Sequence, residues 1–444
     1  MLKPAATSRK PLSLGVVFLT IFIDLVGFSI IFPLFPAILE HYGQSGLLRT
    51  LEAALDRFGE ATGAGERFTP VLFGGVLGSL YATLQFFFAP LWGSLSDRYG
   101  RRSVLLVTIS GTLLSYLIWI FAGNFVLLVL ARLLGGAMSG NLSVATAAVA
   151  DITTAENRSK GMGVIGVAFG LGFVIGPAIG GVSAQIDPLA HFPELARWGL
   201  NPFSFVALVA ASLALVNLLW IVSRFSESLP SQGPAVPRLP PNPLKRLLQP
   251  LPALARKTNF AYLVYMFAFS GMEFTLSFLG VERFAYGVQE IALMMVFVGF
   301  VLILTQGGLV RRLAPLLGER RVATIGLGAV AAGLLVLAAA QTVLVLYVGL
   351  AVLALGAGLC SPTFAALVSL YSGPEAQGKA LGAFRSIGSL GRAVGPLGAS
   401  AVFWWFGSAQ LYVGCACLVA AAAFLAARLP QPDKAPAKAA VAVD

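Results

Sequence analysis

The stretch GSLSDRYGRR, Gly93 to Arg102, lies between two long apolar runs and decides the fold. Three arginines and an aspartate cannot remain in hydrocarbon. The chain must therefore leave a membrane here, turn sharply and re-enter it. Asp97 and Arg101 are spaced to pair across one helical turn, while Gly93 and Gly100 allow close backbone approach or positive φ. Arg98, Arg101 and Arg102 put this tight hairpin on the cytoplasmic face, where short loops are rich in Lys and Arg.

Composition agrees. With 57% hydrophobic residues, 11% charged residues and a mean hydropathy of +0.85, a soluble fold would lack the polar surface to cover itself. A net charge of +11 would suggest nucleic acid in a soluble protein. The positions of the charges argue otherwise. Arg49, Arg57, Arg67, Arg197 and Arg283 fall in segments on one side, and Arg132 and Arg392 fall inside apolar runs. The rest of the 30 Lys and Arg occupy the termini and alternate loops. The excess sets orientation, with both termini cytoplasmic, and is no footprint for a nucleic acid.

Cys360, Cys415 and Cys417 sit in apolar segments without a CxxC pair, and His41 and His191 lie in outer loops far from them. No metal site or Cys/His nucleophile follows, and no enzyme is expected. The first apolar run is too long for a signal-peptide core and reads as a retained span.

Twelve runs are long enough to cross a core of about 30 Å: 12–38, 71–94, 103–122, 125–150, 161–184, 203–223, 259–282, 290–310, 322–340, 343–370, 378–403 and 409–428. The expectation is an all-α membrane protein of two pseudo-symmetric six-helix bundles. Residues 1–224 form the first and 259–429 the second. A basic, proline-rich cytoplasmic linker, 225–258, joins them beside acidic lipid, and a disordered tail occupies 430–444. The outer segment from His41 to Pro70 reads equally as an amphipathic helix on the outer leaflet or as a soluble loop. A faint repeat relates the halves: GGLVRRLAPLLGERR (Gly307–Arg321) echoes the arginine hairpin, and GRAVGPLGAS (Gly391–Ser400) echoes GFVIGPAIGG (Gly172–Gly181). Repeats of this kind place transport sites at their interface.

Charges inside the spans are functional candidates, since each costs on the order of 2.5 to 3.5 kcal/mol to insert. Asp24 falls near mid-membrane in the first span, Arg132 in the fourth and Arg392 in the eleventh. The weaker alternative for the two arginines is a structural ion pair. Glu273, in the seventh span, suits a pore rim or packing as well as substrate contact. A carboxylate that moves between dry surroundings and an arginine changes its proton affinity, so Asp24 and Arg132 suit proton coupling. In the fifth span, Gly172, Gly176 and Gly180 form a flat packing face, and Pro177 removes a backbone donor. GPEAQGKA (Gly373–Ala380) lacks the hydroxyl a phosphate-binding loop needs, and GMGVIG (Gly161–Gly166) opens a membrane helix with no strand before it. No nucleotide, cofactor or ATP-driven pumping is implied; the proton gradient is the energy source.

The hairpin, matching G-x-L-S-D-R-x-G-R-R, resembles the loop after the second helix in the major facilitator superfamily. Gly172 to Gly181 resembles the antiporter motif of that superfamily's proton-driven exporters. Asp24 with Gly27, Pro33 and Pro36, Arg132 with Gly136 and Gly140, and Ala150 to Thr153 are similar to the tetracycline/proton antiporter branch. SLYATLQFFFAPLWGSLSDRYGRR, GMEFTLSFLGVERF and the TQGG before Leu309 carry the likeness through both halves. The resemblance implies that Asp24 is the first-helix acid and Arg132 the fourth-helix arginine. It makes Gly93, Asp97, Arg98, Gly100, Arg101, Arg102 and Asp151 a gating loop that latches the cytoplasmic side when the cavity faces outward. That branch also has acids in its third and ninth helices, whereas Val104–Ala122 and Val322–Ala340 contain none. Metal-bound tetracycline is thus not implied as substrate.

The expected protein is a monomeric cell-membrane transporter, in contact with lipid, that exports small lipophilic or drug-like molecules in exchange for protons. Phe28, Phe86, Glu273, Phe274, Phe278, Gln306 and Arg392 are its candidate cavity residues. The alternatives are a proton-coupled importer of an organic anion or sugar, and a non-transporting membrane receptor or scaffold.

Overall fold

A computed structural model describes residues 12–44, 46–61, 69–153, 157–229, 242–247 and 249–432. Most of the linker's proline-rich stretch and the tail beyond 432 lie outside the described residues. The helices are α1 (Leu14–Ser29), α2 (Phe35–Gly43), α3 (Gly46–Ala61), α4 (Pro70–Tyr99), α5 (Arg101–Ile120), α6 (Phe125–Met138), α7 (Asn141–Ile152), α8 (Arg158–Ser183), α9 (Pro188–His191) and α10 (Ser204–Arg224). After the linker come α11 (Pro243–Leu247), α12 (Ala253–Phe284), α13 (Val288–Leu304), α14 (Val310–Leu317), α15 (Glu319–Ala339), α16 (Val343–Leu370), α17 (Gly373–Phe406) and α18 (Ser408–Ala427).

Among the described residues, 11 helical segments are long and apolar enough to cross a membrane. The expected eleventh span, 378–403, lies within α17. Its 34 residues outreach a core of about 30 Å at about 1.5 Å per residue, but its glycines, serines and arginines dilute its hydropathy. The seventh span begins earlier than expected, at Ala253, because nothing between Pro252 and Asn259 breaks the helix.

Three spans are interrupted. Between α1 and α2 the chain passes through a single 3₁₀ turn, Phe32–Leu34, where Pro33 and Pro36 withhold backbone donors. The fourth span breaks at Ser139–Gly140. There Trp92 of α4 donates its Nε1 to the Ala137 carbonyl at 2.7 Å, satisfying an acceptor freed by the break. The Trp92 side chain covers Gly140 so closely that a Cβ would fall 2.5 Å from it. The eighth span contains a π-turn over Thr305–Leu309, centred on two glycines.

Helices before Phe225 pack chiefly on one another, as do those after Ala253, and the two groups meet along α4 with α17 and α8 with α13. Small residues bring them together, as expected where lipid supplies no hydrophobic drive. A Cβ at Gly75 would lie 2.3 Å from Ser400 Oγ, one at Gly299 2.4 Å from Val174, and one at Gly181 2.5 Å from Ala292. Along α8 this contact fades. At Gly170 the nearest α13 atom is 3.4 Å away, and at Gly166 and Gly163 nothing lies within 4 Å. The two groups are joined on the side away from the arginine hairpin and part along α8 and α13 towards it.

The internal repeat appears in one device used twice. Gly100 (φ +93°, ψ 149°) and Gly318 (φ +81°, ψ 153°) turn the chain into α5 and α15 in the same left-sided conformation, which favours glycine. Arg102 then donates to the Val222 carbonyl near the end of α10 (2.8 Å), and Arg320 to the Leu429 carbonyl just past α18 (2.8 Å). Glu227 rests on Gly100 as Gln431 rests on Gly318.

Candidate functional site: a central cavity and the arginine hairpin

A cavity opens where the two groups of helices meet. Its first-group wall is aromatic: Phe28 lies tilted against Tyr81 (centroids 5.2 Å) and edge-on to Phe32 (5.2 Å), which leans on Phe173 of α8 (5.6 Å). The wall continues across to the second group through Phe35 and Phe274 (5.2 Å). Glu273, Ser270 and Ser277 of α12 and Arg392 of α17 supply the second group's polar lining. Phe28, Glu273, Phe274 and Arg392 therefore lie where expected. Phe86 is buried beside Phe87, Phe278 is packed in the core near Gly74, and Gln306 is exposed on the π-turn; none of the three lines the cavity. Phe32, Phe35 and Phe173 line it in their place, because helix rotation, which a glycine-rich sequence leaves undefined, selects one aromatic over its neighbour.

Arg132 lines this cavity at 6% exposure. Its guanidinium lies 5.7 Å from the Tyr81 ring centroid and 5.4 Å from that of Trp119, within cation–π reach of both rings, a setting that suits its weakly hydrated cation. Its Nε has no hydrogen-bond partner among the described residues. Asp24 is not in ion-pair contact with it. The Asp24 carboxylate instead accepts a 2.7 Å hydrogen bond from Asn141 Nδ2. Asn141 opens α7, so the acid sits at a helix N-terminus created by the break at Ser139–Gly140, where backbone N–H groups favour negative charge. The Tyr81 hydroxyl lies near Asp24, Arg132 and Ser139. Sequence reasoning missed Asn141, although a lone amide directly after Ser-Gly in an apolar span is itself a signal.

The glycine stripe of α8 packs on α1. A Cβ at Gly172 would stand 2.6 Å from Leu25, one at Gly176 1.9 Å from Ser29 Oγ, and one at Gly180 2.1 Å from the Ile30 carbonyl. Ser29 donates to the Gly172 carbonyl at 2.9 Å, and Pro177 faces the cavity. The stripe thus seats the helix that carries Asp24.

In the hairpin, Arg101 is 5% exposed; it pairs with Asp97, donates Nε to Asp151 at 2.9 Å and reaches Ser96 Oγ at 2.7 Å. Gly93 lets α4 approach Ser143 of α7. Arg98 lies over the Tyr99 ring, and Arg102 serves the end of α10. Glu227 joins the hairpin without any local signal in the chain. Its carboxylate accepts the backbone N–H of Arg101 (2.8 Å) and Arg102 (3.1 Å), and of Ser228 and Leu229. Ser228 Oγ in turn donates to Asp151 at 3.2 Å. These bonds join the first six spans to the start of the linker, so they shape the hairpin without themselves tying the two groups of helices together. Replacing Glu227 with Ala removes a charged cap from the first turn of α5. A loss of about 1 kcal/mol is expected, read as a lower unfolding temperature in detergent, with substrate affinity unchanged.

A buried, partly charged cavity between two groups of membrane-spanning helices defines a membrane transporter rather than an enzyme. The chain belongs to the Major Facilitator Superfamily, whose family model matches residues 17–317 and 307–443. It is 35% identical over 437 residues to the bovine (Bos taurus) major facilitator superfamily domain-containing protein 10, covering 91% of this chain and 90% of that one. The crystal structure of the human organic anion transporter MFSD10 (TETRAN) shares 32% identity, with a TM-score of 0.72 over 93% of this chain and 98% of that one. A tetracycline resistance protein, class E, of Escherichia coli is 30% identical over 378 residues, 85% of this chain and 84% of that one.

Proposed function

We propose that this transporter exports small aromatic or lipophilic molecules bearing a negative group, in exchange for protons carried by Asp24. The observation that carries the substrate class is Arg132: a buried guanidinium in the cavity wall, beside two aromatic rings and not spent on Asp24. A carboxylate, sulfonate or phosphate can pair with that guanidinium, and the Phe28–Phe32–Phe173 wall accepts an apolar body. Arg392 adds a second positive group, and Glu273 a second acid across the cavity. The similarity to a transporter described as handling organic anions supports the same class. Likeness to a tetracycline resistance protein and to the antiporter stripe supports export over uptake. We place the protein in the cell membrane as a monomer with both termini cytoplasmic. Residues 1–224 and 259–429 then rock about the cavity as two six-helix bodies, and the Arg101–Asp97–Asp151 cluster stiffens the cytoplasmic end of the first.

The test is proton release from everted vesicles with an acidified lumen, on adding matched aromatic carboxylates, sulfonates and their neutral amides. The anions should trigger release and the amides should not. Arg132→Leu should raise the half-saturating concentration of the anions by about tenfold or more, as expected for a charged hydrogen bond of roughly 1.5 to 3 kcal/mol, while Arg132→Lys should restore part of it. Equal responses to anions and amides would remove the anion from the proposal, and no response would send the search to uptake assays.

A further inference from the structure

Helix α3 is attached to the bundle on the side away from the arginine hairpin, directly after the first span, and packs on α2 and α6. Its contacts fix its rotation. Leu48 is fully buried in the core, Glu52 lies against Gly43, and Asp56 accepts from Thr69, which in turn receives the Trp404 Nε1 hydrogen at 3.3 Å from the end of α17. Positions 48, 52 and 56 therefore form the face turned to the protein.

At about 3.6 residues per turn, two further stripes follow, each roughly a third of a turn from the next. Leu47, Leu51 and Ala54 form one, in line with Phe58; Arg49, Ala53 and Arg57 form the other, and all are exposed. Leu55, between the protein face and the apolar stripe, is half-buried. The exposed fractions of Leu47 (52%) and Leu51 (40%) are high for leucines on a polar-sided helix. On α6, against which α3 packs, Val126 and Leu130 are both 48% exposed on the surface of a span that must face hydrocarbon.

We propose that α3 lies along the line where protein, lipid and water meet, with the Leu47–Leu51–Ala54 stripe seated in the leaflet on that side. Three stripes for three media are what such a helix requires. An apolar stripe set against a charged one holds a helix at the interface, and the charges between its leucines keep it from inserting across the bilayer. The partner is the bilayer surface. Arg49 and Arg57, on the water-side stripe, stand level with phosphate headgroups.

The test uses the full chain on a Cys417→Ser background, since Cys360 and Cys415 are buried. Leu47→Cys, Arg49→Cys, Leu51→Cys, Ala53→Cys and Ala54→Cys each carry a nitroxide, in vesicles of phosphatidylcholine and phosphatidylglycerol. Collision with oxygen, which concentrates in lipid, is compared with collision with a water-soluble nickel chelate. The ratio of oxygen to nickel accessibility should be severalfold higher at 47, 51 and 54 than at 49 and 53. Equal nickel access at 51 and 49 would place the stripe in water. Shielding of 51 from both reagents would mean that protein covers it. Either result overturns the proposal.

Discussion

Asp24→Asn is expected to abolish uphill, proton-driven transport while leaving downhill substrate exchange in place. The substitution keeps the shape of the side chain. Its amide oxygen still accepts from Asn141 Nδ2, so the junction of α1 with the start of α7 is preserved. What disappears is the negative charge at the α7 N-terminus and the proton it can carry. One proton moving down about 100 mV and one pH unit is worth roughly 3.7 kcal/mol, several hundredfold of gradient, before the substrate's own charge is counted. Loss of that coupling should bring accumulation down to the level of empty vesicles, whereas exchange of labelled for unlabelled substrate across an equilibrated membrane continues. Paired proton-flux and exchange assays on the same vesicles separate the two. Full uphill transport by the mutant would move the carrier role elsewhere, with Glu273 the first group to examine, since it lines the cavity on the same wall as Arg392.

Gly180→Val should be the most damaging packing change in the first six spans. A Cβ there would stand 2.1 Å from the Ile30 carbonyl oxygen, a backbone atom that cannot swing aside, and valine's branched carbon adds bulk at the same point. Relief requires α8 to separate from α1, which also withdraws Ser29 from the Gly172 carbonyl and loosens the helix that holds Asp24. Overpacking of a tight site costs about 1 to 3 kcal/mol, and more where backbone is the obstacle. The expected result is a large fall in unfolding temperature in detergent together with loss of transport. Gly163→Val, on the same helix where nothing lies within 4 Å of the added atom, serves as the control and should remain near the parent in stability. Similar losses at both positions would point to helix propensity rather than interhelical contact as the cause.

The hairpin shows how far sequence carried and where it stopped. Asp97 and Arg101 were legible because charges at the end of an apolar run must be paired or hydrated, and helical spacing limits the partners; Asp151 was reached only through the resemblance to the superfamily's gating loop. Glu227 was not, because it lies more than a hundred residues from the N–H groups it caps, after an intervening set of four spans. Asp24 was legible for the cost of placing an acid in hydrocarbon. Its partner was not: distance in the chain favoured no candidate, and Arg132, the obvious opposite charge, turns instead onto Tyr81 and Trp119. Among the aromatic candidates, Phe28 and Phe274 line the cavity and Phe86 and Phe278 do not, since rotation of an apolar helix is set by its neighbours.

Sequence alone determined the solvent of this protein, the approximate limits of its spans, the buried charges and the arginine hairpin. Hydropathy and the insertion cost of charge are local properties, written residue by residue. Tertiary structure alone decided that Asn141 holds Asp24, that Arg132 lies in the cavity wall beside Tyr81 and Trp119 instead of pairing with Asp24, that α8 seats α1 through its glycines, and that α3 has three distinct faces. Each of these depends on how helices rotate and approach. In a membrane that is governed by close contact among small residues distant in the chain, with no hydrophobic pattern to announce it.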